Sequence, residues 1–441
     1  MSERDSQILR IAVPSIVSNI TVPLLGLIDV AIVGHMGDAV YIGAVAVGSM
    51  IFSLLYWLFA FLRMGTSGMT SQAFGRRDLP EVGRLLVSSL TVAFAVALLI
   101  IVFQEPMRWL MFWLIGPTAD VVPFATTYYY IAVWGAPASL GLFSLTGWYI
   151  GMQNTRIPMF ISIMQNIVNI LASLTLVYGF GMKIEGVALG TVIAQYAGLL
   201  AAILLLIRYY GRMLSRHLTH MTTSLLMLRK MFSVNRDIFL RTLCLVAVNL
   251  YFTSAGARLG AVILSVNTVF MQLYLFYSYF IDGFAFAGEA IGGRYYGARN
   301  GSAFSDTLRH LFRWAAAVAL LYTVVYIFGG QGIVSLLTDE PHVRQAAAVY
   351  VWWIWLVPAA STLAFIWDGI FIGITATRGM LLSSFIAALL FFAVYLVTKT
   401  SLGNHGLWLA LIVYLLTRGI IQTIIFQYVA RLTVERSTDG L

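Results

Sequence analysis

Charge is scarce in this sequence. Only 10% of its 441 residues are Asp, Glu, Lys or Arg, while 60% are hydrophobic. A soluble core cannot hide that much apolar surface, so the chain belongs in lipid. Cysteine is nearly absent: the single Cys244 has no internal disulfide partner and lies in an apolar run, which sets aside redox chemistry and thiolate metal binding. The lysines are Lys183, Lys230 and Lys399, none of them preceded by glycine. A G-x-x-x-x-G-K-[ST] phosphate loop is therefore missing, and with it direct ATP coupling by this chain. Also missing are H-E-x-x-H and G-x-S-x-G, and His35, His217, His220, His310, His342 and His405 fall near span ends or in links. Haem, zinc and intramembrane protease chemistry are disfavoured, and the chain is read as a non-enzyme that needs no cofactor. Ten-residue alternating segments, the mark of a membrane barrel, do not occur.

What is present is a set of long apolar runs. Breaks at charged and Gly/Pro clusters predict spans near 8–34, 41–71, 83–104, 122–151, 158–180, 186–209, 238–257, 263–292, 311–335, 345–374, 380–400 and 406–430. The first run is too long for a signal-peptide core and is expected to be retained. The net charge of +9 is unevenly spread. Arg76, Arg77, Arg84, Arg156, Arg208, Arg212, Arg216, Arg229, Lys230, Arg236, Arg294, Arg299, Arg309, Arg313 and Arg378 all fall in alternate links. That asymmetry places both termini in the cytoplasm of a bacterial inner membrane and rules against a nucleic-acid surface.

The most polar stretch, from Arg208 to Arg236, reads as a basic linker against the cytoplasmic leaflet. The chain thus divides into an N-lobe over 1–209, a linker over 210–237 and a C-lobe over 238–441. The lobes are repeats. Gly147, Ile150, Gly151, Thr155 and Arg156 recur as Gly369, Ile372, Gly373, Thr377 and Arg378, and Gly75 and Arg77 as Gly297 and Arg299, always 222 residues later. Gly186 and Leu189 answer Gly406 and Leu409 at a shift of 220. An even number of spans per lobe sets the pseudo-twofold axis along the membrane normal. The expected fold is an all-α polytopic membrane protein, twelve transmembrane helices in two pseudo-twofold-related six-helix bundles with a central cleft.

Charges at membrane depth are expensive and mark pathways or relays. They are Asp29 in the first span, Arg63 in the second, Asp282 and Glu289 in the eighth, Asp368 in the tenth and Arg418 in the twelfth; none of the four acids has an acidic counterpart at the repeat shift. Asp29 follows Pro14 and Pro23 in one span, and each proline removes a backbone hydrogen bond, so the helix can change shape when the acid gains or loses charge. The competing role is a permanent pair with Arg63. Asn166, Asn169 and Ser173 follow one face of the fifth span, and Thr191 and Gln195 one face of the sixth. They suit either a network around Asp29 or simple helix–helix adhesion. Aromatics crowd the eighth span, from Phe270 through Tyr274, Tyr277 and Phe280 to Phe284, and suit bulky hydrophobic or cationic small molecules.

The strings PLLGLIDVAIVGHMG, SQAFGRRD, GWYIGMQNTRIPM with its later echo, NRDIFLRT and DGFAFAGEAIGGRYYGARNG resemble, in order and spacing over the whole chain, the multidrug and toxin extrusion (MATE) transporters of the DinF-like subfamily. The resemblance implies two six-helix lobes around a V-shaped cleft and export of drugs driven by inward movement of protons or sodium ions. By position, Asp29 matches the family's first-span acid, Pro14 its bending proline, and Asn169 and Thr191 polar members of the N-lobe cation site. Ser173 stands where related members carry a second acid, which leaves Asp29 as the pocket's carboxylate and favours one protonation, with a weakly held Na+ at Asp29, Asn169 and Thr191 as the variant. Asp368 lies where sodium-coupled relatives of another subfamily use an acid. The expected function is antiport of hydrophobic or cationic compounds by alternating access, by a chain acting as a monomer with lipid and its small-molecule substrate as partners. The alternative is a flippase for a lipid-linked precursor.

Overall fold

The computed structural model describes residues 2–34, 39–216 and 225–438. His35, His217, His220 and the middle of the expected linker lie outside the described residues. Helices account for nearly all of the described chain, and no strand occurs among the described residues. In order they are α1 (Glu3–Gly34), α2 (Ala39–Phe59), α3 (Phe61–Gly75), α4 (Leu79–Val102), α5 (Gln104–Ile115), α6 (Val122–Ala132), α7 (Ala136–Gly151), α8 (Arg156–Leu174), α9 (Ile184–Ser215) and α10 (Leu225–Arg258). There follow α11 (Ala261–Ala287), α12 (Gly293–Gly297), α13 (Gly301–Leu337), α14 (Pro341–Tyr350), α15 (Trp352–Gly373), α16 (Thr377–Leu402) and α17 (Asn404–Thr438).

Several of these join end to end. A single residue, Ala60, separates α2 from α3, a 3₁₀ turn (Val133–Gly135) joins α6 to α7, and π turns extend α8 (Thr175–Gly179) and link α11 to α12 (Gly288–Gly292). Ten of the resulting tracks are long and apolar enough to cross a membrane among the described residues. With α1 and the α6–α7 track they make the twelve that the sequence predicts. Apolar side chains such as Leu98, Phe328, Leu336 and Val397 stand fully outward, as a hydrocarbon solvent allows. Helix α5 is an addition: its Glu105, Pro106 and Arg108 read as a break, but Trp109 and Trp113 are exposed and Met111 buried, the pattern of a helix lying in the interface.

Contacts divide the chain into two units, Val13–Asn235 and Arg236–Leu441, the latter joined by residues 1–12. The repeat shift of 222 is written into the backbone of both. In the first unit Arg77 and Gln153 have φ of 60° and 64°; in the second Arg299 and Thr375 have φ of 53° and 55°. These left-handed residues end helices, each followed by an amide that reaches back five residues: Asp78 to Ala73, Asn154 to Tyr149, Asn300 to Tyr295 and Ala376 to Phe371. Asp78 then caps α4 by accepting from the Glu81 amide at 2.9 Å, and Asn300 caps α13 by accepting from Ala303 at 3.0 Å.

The repeated glycines of α7 and α15 have a single physical cause. A Cβ at Gly147 would strike the Arg63 carbonyl, and one at Gly151 would lie 2.8 Å from the Ser67 carbonyl. A Cβ at Gly369 would strike the Ala285 carbonyl, and one at Gly373 would lie 2.6 Å from that of Glu289. Helix α7 therefore crosses α3, and α15 crosses α11, backbone on backbone, which only a small-x-x-x-small stripe permits.

Each unit has its own core. In the first, Trp148 and Tyr149 sit among Leu85, Leu86 and Leu145, with the Trp148 indole donating to the Val82 carbonyl at 3.0 Å and the Tyr149 hydroxyl to that of Ala202 at 2.7 Å. In the second, Trp408 meets Phe252 and Phe270 edge-on and donates to Asn267, which exchanges hydrogen bonds with Asn404. Among the aromatics of α11, Phe270 and Tyr277 are buried in this packing and Phe284 stacks on Trp314, while Phe276 is exposed. The start of α1 docks on this unit: Arg4 pairs with Asp306 at 3.2 Å and lies over Tyr295. Asp5 accepts from the Trp314 indole at 3.0 Å and sits 2.9 Å from His310. The His310 contact, the Ser2 amide and the Trp314 indole hold the Asp5 carboxyl well below the usual carboxylate range.

Candidate functional site: a lone carboxyl in the first unit and an ionic cluster in the second

Asp29 lies one turn from the end of α1 and is buried, at 3% exposure. Thr191 on α9 stands at its centre of contacts. The Thr191 hydroxyl is 3.4 Å from Asp29 Oδ2 and 3.1 Å from the Val187 carbonyl, and accepts from Asn169 Nδ2 of α8 at 3.1 Å. One hydroxyl carries one proton, so Thr191 donates to Val187 or to Asp29 but not to both. Asp29 Oδ1 and Asn169 Oδ1 are buried with no hydrogen-bond partner. Among the described residues the side chain bonded to Asp29 is Thr191, with the Asn169 amide close by; Arg63 is not its ion partner.

The other expected residues divide by location. Asn166 donates to the Thr21 carbonyl at 2.7 Å, and the Thr21 hydroxyl meets Ser162 at 2.7 Å. Asn166 is thus a clamp on the α1 backbone between Pro14 and Pro23, which both lie inside the continuous helix α1. Ser173 is buried with its hydroxyl close against Gly190 of α9, where α8 and α9 meet. Gln195 packs on Gly135, and its Oε1 is buried with no hydrogen-bond partner among the described residues. Sequence reasoning missed Tyr128 of α6, buried against Gly48 of α2 and near Thr191 and Asp29. In the run Tyr128–Tyr130 nothing distinguishes a pocket tyrosine from an interfacial one.

In the second unit Asp368 is likewise buried, but heavily paired. Arg241 of α10 and Arg418 of α17 both donate to Oδ2, and Gln422 donates to Oδ1 at 2.6 Å. Arg241 and Gln422 were not singled out in the sequence; Arg241 sits in the NRDIFLRT string just after the basic linker, and its partner is 127 residues away. Asp237 of the same string accepts from Thr377 at 3.1 Å and pairs with Arg236 at 3.0 Å. Glu289 is buried in the π turn after α11, and Asp282 is partly exposed on α11. No group of three or more His, Cys, Asp or Glu arranged to hold a metal exists among the described residues.

A duplicated scaffold of membrane-length helices agrees with what comparison finds. The MatE family model matches residues 14–175 and 238–397, once in each half. DNA damage-inducible protein F of Escherichia coli is 40% identical over 95% of this chain and 91% of its own. The chloroplastic Protein DETOXIFICATION 44 of Arabidopsis thaliana is 24% identical over 93% of this chain and 80% of its own. Among solved structures, the crystal structure of MATE in the bent conformation superposes with a TM-score of 0.89 at 18% identity, covering 100% of this chain and 98% of that one. The chain belongs to the MatE family of membrane transporters, on its DinF-like branch.

Proposed function

We propose that the protein is a secondary active exporter of the bacterial inner membrane, with both termini cytoplasmic, that exchanges hydrophobic or cationic compounds for inward-moving protons. The observation that carries this reading is the state of Asp29: buried, with Oδ1 lacking a partner and Oδ2 offered one long contact from Thr191. An anion there has most of its acceptor capacity unmet, and such a group is costly to bury. A protonated acid fits the same atoms better, because it can donate to Thr191 while Thr191 donates to Val187. Gain and loss of that proton then changes what α1 is bonded to, in a helix already weakened by Pro14 and Pro23, and so biases the two states of an alternating-access cycle. No cofactor is required, and the chain is proposed to act as a monomer among lipids.

A second reading rests on the two unpartnered oxygens, Asp29 Oδ1 and Asn169 Oδ1, which with Thr191 are hard donors suited to a weakly held Na+. Efflux of a fluorescent cation from vesicles under separately imposed pH and sodium gradients distinguishes the two, and Asp29→Asn is the test of the residue. Export driven by the pH gradient alone, and abolished in the variant, is the expected result. Undiminished gradient-driven export by Asp29→Asn refutes the role given to this carboxyl.

A further inference from the structure

The second unit buries more positive than negative charge at one point. Arg241, Arg418 and Asp368 are each more than nine-tenths buried, so two guanidinium groups share one carboxylate. Three donors already converge on Asp368: Oδ2 takes both arginines and Oδ1 takes Gln422. Yet the Nε–H of Arg241 and the Nε–H of Arg418 are buried with no acceptor. The Arg418 guanidinium lies over the Tyr414 ring, 5.4 Å from its centroid, with Tyr274 nearby. Asp237 is occupied by Arg236 and Thr377, and Asp282 is partly exposed on α11. An excess guanidinium charge with free donors in a low-dielectric interior is a strong demand for a counter-ion.

We propose that this cluster, where α10, α15 and α17 meet, is a binding site for a monovalent anion that accepts hydrogen bonds from the free Nε–H groups, either a halide or the carboxylate of an organic acid. Guanidinium groups are matched to such acceptors, and Asp368 acts as the fixed internal competitor that keeps the site weak enough to release its occupant. The site is separate from Asp29 and does not depend on the direction or coupling of cation export.

The test is direct binding of radiolabelled chloride and, separately, radiolabelled benzoate to the purified full-length protein, with ionic strength held constant by sulfate. Saturable binding is expected, with the two anions competing. Benzoate that chloride displaces poorly identifies a carboxylate substrate as the occupant, and chloride binding without benzoate identifies a halide counter-ion; both support the site. Arg418→Gln is expected to weaken binding by more than about tenfold. Asp368→Asn, which removes the competitor, is expected to tighten it, an effect opposite in sign to loss of fold. The absence of saturable binding to wild-type protein that elutes as a single species overturns the proposal. So does binding that appears only in Asp282→Asn or Glu289→Gln, because an acid of the protein itself is then the counter-ion. Loss of Asp29-dependent export leaves all of these outcomes unchanged, so the two readings fail separately.

Discussion

At the residue scale, Thr191 joins the parts of the N-terminal cluster. It accepts from Asn169, lies within reach of the Val187 carbonyl and stands 3.4 Å from Asp29 Oδ2. Replacing it with valine keeps the shape and removes the hydroxyl, stranding the Asn169 amide and leaving Asp29 Oδ2 without a bond. Thr191→Val is expected to lower stability by about 1–3 kcal/mol, the cost of an unsatisfied buried group, and to displace the pH profile of export. Thermal unfolding checks the first and vesicle efflux across pH the second; a variant with wild-type behaviour in both removes Thr191 from the mechanism. The identity of this cluster was partly legible in the sequence. Asp29 stood out because charge in a span is costly, and Asn169 and Thr191 because polar side chains at helical spacing interrupt an apolar run. Tyr128 and Arg241 were hidden for different reasons. An aromatic in a membrane span has an ordinary explanation at the interface, and an arginine beside a basic linker has an ordinary explanation in the positive-inside pattern. Only tertiary contact sets them apart.

At the scale of elements, the crossing of α7 on α3 and of α15 on α11 makes parallel predictions. Gly147→Ala and Gly369→Ala each drive a Cβ into a backbone carbonyl that cannot rotate away, and overpacking of this kind costs about 1–3 kcal/mol. Equal losses of unfolding temperature in the two variants are expected, and a tolerated alanine at either site contradicts the close crossing. The N-terminal turn of α1 makes a different prediction. Because the folded Asp5 carboxyl is held below its ordinary range by His310, Ser2 and Trp314, its contribution is complete above about pH 4 and is lost as pH falls through and below that value. Proteolysis near the N-terminus is expected to quicken on acidification into that window, and Asp5→Asn to show the same rate at every pH. The repeat glycines were readable as a pattern, but not as a crossing: spacing of four on a helix marks a stripe, and which helix it meets is settled by the fold. Helix α5 was lost in the reading for the opposite reason, since Glu105, Pro106 and Arg108 resemble a break although a proline in a first turn is compatible with helix.

For the molecule as a whole, the twelve tracks and the charge asymmetry were the most legible features, since both follow from the bilayer. Length and apolarity fix the spans, and basic residues in alternate links predict their direction. The inside assignment is checked by placing single cysteines in a variant lacking Cys244. Ser302→Cys, in the first turn of α13, is expected to react with an impermeant maleimide only after cells are opened. Asp120→Cys, in the exposed link before α6, is expected to react in intact cells. The reversed pattern inverts the topology and with it the direction proposed for export.

The shared left-handed turns and caps show how little of an ancestral unit must survive for its architecture to persist. At the repeat shift, Asp29 corresponds to Tyr251, Asn169 to Phe391, and Arg241 to Asn19. Duplication kept the joints and let the contents go. Each half is consequently free to acquire its own chemistry without disturbing the hinges it inherited, so a graft that carries polar residues from one half into the other, and leaves Arg77, Gln153, Arg299 and Thr375 in place, is the natural route to re-engineering this scaffold.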